Sequence, residues 1–535
     1  MQVRVVYWWD HFGSHRILRN KSSIKWGNGL VLPCEALAQR PSTMALRPLI
    51  AIFGTTGVGK SNLAIELALH LSQSAQNSRW KGARVINADA MQVYAGLDVI
   101  TNKVPEAERH GVEHLLMGFK QPGEQYVVGQ WVNDAISAID QTHMRDEIPI
   151  VVGGTSYWMQ HLMFPDRLAG MQPDEPPLLS ESIATALASL PPELLDLFNN
   201  LPQQPPDAAV DPDAAAALHR LLRNLDPAIA ERWHWRDTRK VFRSLGIVKD
   251  TGRRPSEIVT EQSETVLKPR YRTLCFWLYA EPTILHGRLD TRVDKMIERG
   301  LLDEVRALRN ISQNPDSQAT ADVDYTLGIY QSIGYKEFHG YLSTPSPTEK
   351  AYDEAIENMK VSTRQYSRRQ ISWIRNKLLP AINATNAQEM MVPTYLLDAT
   401  DIGDDWTSKV RNPAVQMCRD FLNYDPMPDP LALSEIARTM LDISEKLVDP
   451  SCILKAQRKV VCSICTDDAA QPFMVDEDRF ADHLRARSHR RLAKKMTPEE
   501  YREQHRERQR AKQLERAPKD KPDSDSEVDM SMFSL

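Results

Sequence analysis

The chain has 535 residues and a formal net charge of −5, with 66 Lys and Arg against 71 Asp and Glu. Its length supports several domains of about 100–200 residues, and its six cysteines do not suggest a disulfide framework. No run approaches the roughly 18 consecutive apolar residues of a membrane helix, so we expect a soluble protein without membrane association.

The first segment, residues 1–47, is a basic extension. It holds several Arg and Lys, with Asp10 as the only early acid, which is the bias of a mitochondrial presequence. Tyr7-Trp8-Trp9 makes a poor amphipathic helix, however, and Met44 lies just before the first predicted strand. Residues 1–43 are therefore either a targeting arm or an upstream extension without a role in the fold.

A strand, a glycine-rich loop and a helix follow. The apolar run 49–53 predicts the strand, and residues 61–71 have a helical pattern. Between them lies a G-x-x-x-x-G-K-S sequence, in which backbone N–H groups surround phosphate oxygens, the lysine neutralises charge and the hydroxyl reaches Mg²⁺. This phosphate loop consists of Gly54, Thr55, Thr56, Gly57, Val58, Gly59, Lys60 and Ser61. The alternative is a structural glycine turn.

Two further strands of the predicted α/β sheet end in polar residues. The segment 84–89 ends in Asp89, and the segment 148–152 leads into Gly153, Gly154 and Thr155. Ligands of such sheets bind outside the carboxyl ends of the strands, so Asp89 and Thr155 should lie on the same rim as the phosphate loop. An Asp in this position is also often a helix cap or a magnesium ligand.

Several stretches resemble the tRNA dimethylallyltransferase family of the eukaryotic type. Besides the phosphate loop, they are Asn87-Ala88-Asp89-Ala90-Met91-Gln92, the Gly153-Gly154-Thr155 turn, and residues 288–296, 332–337 and 363–375, in the order of the family. The resemblance implies an α/β fold with a P-loop NTPase-like parallel sheet, a helical insertion domain and a small C-terminal zinc finger. It also implies transfer of a dimethylallyl group from dimethylallyl diphosphate to N6 of the adenine 3′ of the anticodon.

The resemblance assigns roles to residues. The phosphate loop would hold the diphosphate with Mg²⁺ at Ser61, Lys60 and Arg292 would stabilise the leaving group, Asp89 would be the general base, and the Thr155 hydroxyl would lie beside the substrates. The basic spacing of Lys360, Arg364 and Arg368 supports an RNA-facing helix, although such a face is otherwise ordinary solvated surface. The residues expected to bind tRNA are Asp89, Ala90, Met91, Gln92, Lys240, Arg243, Gly334, Tyr335, Lys336, Arg364, Arg368, Arg369, Gln370, Trp373 and Arg375.

A Cys/His pattern lies near the C-terminus. Cys462 and Cys465 are followed by His483 and His489, and two thiolates with two imidazoles suit a tetrahedral structural Zn²⁺ site. The gap from Cys465 to His483 exceeds the usual interval of about 12–15 residues, which predicts an enlarged hairpin. Phe480 and the basic residues after His489 resemble the matrin-like, RNA-binding fingers of eukaryotic members of the family. The alternative is two unrelated pairs.

These features predict seven segments. They are an extension (1–47), a first core part (48–164), a tRNA-contacting helical insertion (165–235), a second core part with the tRNA-binding helix (236–400), a linker (401–450), a finger (451–496) and a charged tail (497–535).

We expect a monomeric enzyme acting on tRNA and dimethylallyl diphosphate in cytoplasm and mitochondria, and the basic tail would also suit nuclear entry. A P-loop kinase or ATPase would use the same loop, with Asp89 as a magnesium ligand. The other alternative is a nucleic-acid-binding scaffold with an inactive loop, against which the intact Lys60 and Ser61 argue.

Overall fold

The structure is a computed structural model that describes residues 46–75, 79–165, 178–264, 267–312, 328–387, 389–443 and 458–493. The predicted N-terminal targeting arm and the charged tail 497–535 lie outside the described residues. Among the helices of the described residues, none has the length and apolar character needed to cross a membrane.

A six-stranded parallel sheet forms the centre of the fold. The strands pair in the order β3-β2-β4-β1-β5-β6. They are β1 (Pro48–Gly54), β2 (Gly82–Asn87), β3 (His114–Leu115), β4 (Glu147–Val152), β5 (Arg272–Tyr279) and β6 (Thr394–Asp398). The central strand β1 is buried along its whole length, as its continuous apolar sequence requires. The predicted α/β class with a P-loop-like parallel sheet is confirmed.

Helices cover both faces of the sheet and bury two apolar clusters against it. The connections between strands supply α1 (Lys60–Gln73), α2 (Val128–Met144) and α3 (Ser156–Met163). The second part of the core supplies α10 (Pro282–Glu298), α11 (Leu301–Ser312), α12 (Tyr335–Ser343), α13 (Glu349–Trp373) and α14 (Leu379–Asn386). The long helix α13 begins where Thr348 Oγ1 accepts a hydrogen bond from the Ala351 N–H at 3.2 Å.

The helical insertion has its own apolar core. It comprises α4 (Glu181–Ala188), α5 (Pro192–Asn199), α6 (Pro212–Leu225), α7 (Pro227–Ala230), α8 (Thr238–Thr251) and α9 (Pro255–Glu264). Val241, Leu245 and Val248 of α8 are fully buried in this core. The insertion therefore continues beyond the boundary expected at 235, because one face of α8 completes its apolar core.

The segment expected to be a linker, residues 401–450, is folded onto the sheet over much of its described part. A π-helical turn (Trp406–Arg411) leads into α15 (Asn412–Asn423), and α16 (Glu435–Leu441) follows. The Trp406 ring packs against the phosphate loop, and its Nε1–H donates to the Glu66 carboxylate at 3.0 Å. The linker had been expected from the Pro- and Asp-rich sequence of residues 424–430.

The C-terminal module is a small hairpin with two short helices. Strands β7 (Lys459–Val461) and β8 (Met474–Asp476) pair antiparallel, and α17 (Phe480–Arg485) and α18 (Arg487–Ala493) follow. This module docks on the insertion, where the Trp235 Nε1–H donates to the Pro472 carbonyl at 2.9 Å. The Lys459 N–H likewise donates to the Glu231 carbonyl at 2.6 Å.

Candidate active site

The phosphate loop turns sharply between β1 and α1. Gly57 and Gly59 have φ angles of 83° and 82°, in the left-handed region that favours glycine. A Cβ at Gly59 would also stand 2.7 Å from the Trp406 ring. The loop thus closes around the N-terminus of α1, where unpaired N–H groups and the helix dipole favour anions.

Two cationic side chains converge on this loop. The Lys60 Nζ donates to the Thr55 carbonyl at 2.6 Å, and the Arg292 guanidinium of α10 donates to the Thr56 hydroxyl at 2.5 Å. Desolvation by burial lowers the pKa of Lys60 to about 8 and that of Arg292 to about 10, although the Asp89 carboxylate opposes both shifts. One carboxylate compensates these two buried positive charges only in part, so together they suit the binding of a multiply charged anion.

The Asp89 carboxylate lies at the carboxyl end of β2, within the electrostatic reach of both cations. Its Oδ1 accepts a hydrogen bond from the Met91 N–H at 3.0 Å. The Thr155 hydroxyl accepts one from the Ala90 N–H at 3.1 Å, which ties the turn after β2 to the turn after β4. Parallel strands bring these turns together, as the sequence predicted.

A cavity of about 310 Å³ joins these groups. Lys60, Ser61, Asp89, Gln92 and Arg292 are among its lining residues, whereas Thr155 is not, although Gly154 directly before it is. The cavity therefore has an anion-binding wall and a carboxylate wall. Such a site can hold a phosphate-bearing molecule next to a group that accepts a proton.

Gln370 has a different place from the one expected of a tRNA contact. Its side chain is 5% exposed, its Oε1 accepts the Thr56 N–H at 2.9 Å, and its Nε2 donates to the Gly154 carbonyl at 3.0 Å. Gln370 therefore joins the phosphate loop to the turn after β4. In this structure it is a positioning residue of the phosphate loop.

Other residues expected to bind tRNA are engaged within the protein. Tyr335 is 1% exposed in the core, and Gly334 packs against Met359, so RNA could reach at most their backbone. Arg364 pairs with Asp290 of α10 at 2.5 Å. Lys360, from the same predicted basic face, pairs with Asp294 at 2.8 Å. These two cations hold α13 against α10.

The remaining predicted contacts are more accessible. Lys240, Arg243, Lys336, Arg368 and Arg369 are exposed, and Ala90, Met91, Trp373 and Arg375 are half-buried. The Trp373 ring meets the ring of Tyr157 edge to face at 5.6 Å. Their role in tRNA binding stays a prediction.

The structure also reveals site residues that had no predicted role. Arg288 donates to the carbonyls of Gly57, Ala399 and Thr400 at 3.1, 3.2 and 2.6 Å, and thereby fixes the phosphate loop to the end of β6. Its position four residues before Arg292 on α10 was the available signal. Trp406, which packs on Gly59, had no such signal.

The four residues of the Cys/His pattern form one cluster. The potential ligand atoms of Cys462, Cys465, His483 and His489 all lie within 4.8 Å of one another. Cys465 Sγ is 3.5 Å from His483 Nε2 and 3.4 Å from His489 Nδ1. Two sulfur and two nitrogen atoms at such separations could hold a metal ion tetrahedrally.

The fold and the phosphate loop define the class: this is a P-loop α/β protein with an appended Cys/His cluster. A family model described as IPP transferase matches residues 92–377. The chain is 36% identical over 458 residues to the tRNA dimethylallyltransferase of Schizosaccharomyces pombe, which covers 84% of this chain and 96% of the relative. It is 31% identical over 468 residues to that of Homo sapiens, which covers 84% and 86%.

A solved structure of a eukaryotic dimethylallyltransferase acting on tRNA matches with a TM-score of 0.64 and 31% identity, covering 87% of this chain and 100% of that one. The chain therefore belongs to the IPP transferase family. The predicted resemblance to the tRNA dimethylallyltransferases is confirmed, and these relatives favour a transferase over the kinase, ATPase and scaffold alternatives.

Proposed function

We propose that this chain transfers a dimethylallyl group from dimethylallyl diphosphate to N6 of the adenine 3′ of the anticodon in tRNA. One observation carries the proposal. The cationic phosphate loop and the Asp89 carboxylate face each other across one cavity, in a chain whose relatives are named tRNA dimethylallyltransferases.

The phosphate loop binds the diphosphate of the donor. Negative charge grows on the diphosphate as its bond to the dimethylallyl carbon breaks, and Lys60 and Arg292 already point at the loop. Charges that are in place before the reaction lower its barrier because they need no reorganisation. Ser61, which lines the cavity, would hold Mg²⁺ together with diphosphate oxygens. When bound, Mg²⁺ supplies further charge stabilisation to the leaving group.

The carboxylate wall receives the adenine. Base-modifying enzymes take their target base out of the stack, which costs a few kcal/mol. The N6 amine is a weak nucleophile, so Asp89 accepts its proton as the new N–C bond forms and diphosphate departs. The hydrogen bond from the Met91 N–H fixes Oδ1 of Asp89 and thereby orients the carboxylate to accept the N6 proton.

The insertion and the finger provide the grip on tRNA. We assign the metal of the Cys/His cluster as structural Zn²⁺, since four protein ligands fill a tetrahedral site. The finger docks on the insertion through Trp235 and Glu231, so the two parts can contact the same tRNA side by side. We further propose that the protein acts as a monomer. The basic bias of residues 1–47 supports a mitochondrial pool beside the cytoplasmic one, and the basic tail supports nuclear entry.

Incubation of the purified protein with labelled dimethylallyl diphosphate, Mg²⁺ and unmodified tRNA tests the proposal. Nucleoside analysis should find N6-dimethylallyl-adenosine. Asp89→Asn should lower kcat by about 10²–10⁴-fold and still bind both substrates. Asp146→Asn is the matched control. It changes an exposed carboxylate that pairs with Lys81 at the amino ends of β4 and β2, away from the cavity at their carboxyl ends. Nucleotide turnover that needs no tRNA would instead support a kinase or ATPase.

A further inference from the structure

The two sides of helix α10 carry opposite charges. Asp290 and Asp294 point at α13, where they pair with Arg364 and Lys360. The other side carries Arg288, Arg292, Lys295 and, directly after the helix, Arg299, which together line a single cavity. Asp290 and Asp294 are thus used in helix packing, whereas Lys295 and Arg299 are exposed at the open cavity.

This outer cavity has a volume of about 320 Å³. Its other lining residues are Asn102, Thr291 and Met296, so its described lining contains no carboxylate. Asn102, Arg288, Arg292 and Arg299 also line the cavity of the phosphate loop. The two cavities are therefore contiguous, and the cationic wall extends outward from the phosphate loop.

The inner and the outer cations differ in their engagement. Arg288 and Arg292 donate to groups of the phosphate loop. Lys295 and Arg299 are exposed, and within the described ranges no ion pair to a carboxylate involves either. Like charges at a shared opening repel one another in the free protein, and an anion relieves this repulsion. A cleft lined by one sign of charge also concentrates oppositely charged ligands.

We propose that Lys295 and Arg299 form an outer diphosphate subsite, through which the prenyl diphosphate enters and inorganic pyrophosphate leaves. This inference rests on the proposed function, which supplies the diphosphate. A small diphosphate fits better than an RNA phosphodiester because the cations share one pocket that opens into the phosphate loop. The subsite acts on capture of the donor and takes no part in bond making.

The double variant Lys295→Gln/Arg299→Gln tests the subsite. Binding of inorganic pyrophosphate is measured by titration calorimetry in Mg²⁺ buffer, and the KM values of donor and tRNA are measured at low and high salt. At low salt, pyrophosphate affinity and kcat/KM for the donor should fall about 3- to 10-fold, with the loss in the KM of the donor. The difference from wild type should shrink at high salt because exposed charges are screened.

Matched variants control for charge and folding. Lys81→Gln/Lys350→Gln removes two exposed, ion-paired cations. Lys81 directly precedes β2, at the amino ends of the strands. This double variant should leave pyrophosphate binding unchanged. Lys295→Arg/Arg299→Lys keeps both charges and should retain most of the affinity, which a purely structural role of these side chains would not predict.

Unchanged pyrophosphate affinity and donor KM in the double variant would overturn the inference, and so would a rise in the KM of tRNA alone. The latter result would assign the two cations to RNA. Pyrophosphate binding needs no transfer, so the two proposals can fail separately. A wild-type protein that binds pyrophosphate in this salt-dependent way but prenylates no tRNA would refute only the proposed function.

Discussion

Replacement of Gln370 by Met tests whether this residue positions the phosphate loop or contacts RNA. Methionine has a similar length but offers no amide, so the Thr56 N–H and the Gly154 carbonyl both lose their partner. A buried group left unpaired costs about 1–3 kcal/mol. Thr56 is only half-buried, and water can satisfy part of its need. We therefore expect the free energy of unfolding to fall by about 2–3 kcal/mol.

The functional consequence should fall on the donor. Without the hydrogen bonds of Gln370, the phosphate loop should bind pyrophosphate at least about tenfold more weakly, which corresponds to about 1.4 kcal/mol. Urea denaturation measures stability, and titration calorimetry with pyrophosphate and with tRNA measures the two affinities. Gln365→Met, at an exposed position of the same helix, is the control. Weaker tRNA binding with unchanged pyrophosphate affinity and stability would refute the positioning role.

Three further perturbations follow from the structure. In Gly153→Ala the new Cβ would stand 2.1 Å from the Ala88 carbonyl oxygen, so the unfolding free energy should fall by about 3 kcal/mol or more, whereas Gly246→Ala, with open space around its Cβ, should not destabilise. Urea denaturation of both variants decides this, and equal stability would contradict the close approach of the two strand ends. Because desolvation lowers the pKa of Lys60 to about 8, the free protein loses this charge as pH rises through about 8, and pyrophosphate affinity should fall there. As the pH rises further, from about 8 to 10.5, the free energy of unfolding should increase, because Lys60 is still protonated in the unfolded chain but already neutral in the folded protein. Lys60→Met should remove both pH effects, and their persistence would assign them to another group. Cys462→Ser should lose the bound metal, as measured by elemental analysis, and weaken tRNA affinity more than the rate of transfer. A lost rate with intact tRNA affinity would contradict the finger as an RNA grip.

Local spacing was enough to predict the parts of the site that lie close together in sequence. The phosphate loop depends on glycines and a lysine within eight residues, and the positive φ angles of Gly57 and Gly59 follow from that pattern. The positions of Asp89 and Thr155 followed from a general property of parallel sheets, in which strand ends share one edge. The Cys/His cluster was also predictable because metal ligands have few workable spacings.

Packing between distant segments decided the rest. Gln370 reaches a loop 314 residues away, and its amide could equally have faced RNA on an isolated helix. Arg364 shows the same limit, because a basic helix face has the same sequence pattern whether it contacts phosphates or, as here, the carboxylate of Asp290. Trp406 joined the site only because residues 406–423 fold onto the sheet. The sequence by itself determined which chemical groups are available and where the chain turns, because those depend on near neighbours. Only the tertiary structure decided which of the groups are used in packing and which face the cavity, because burial and pairing depend on residues hundreds of positions apart.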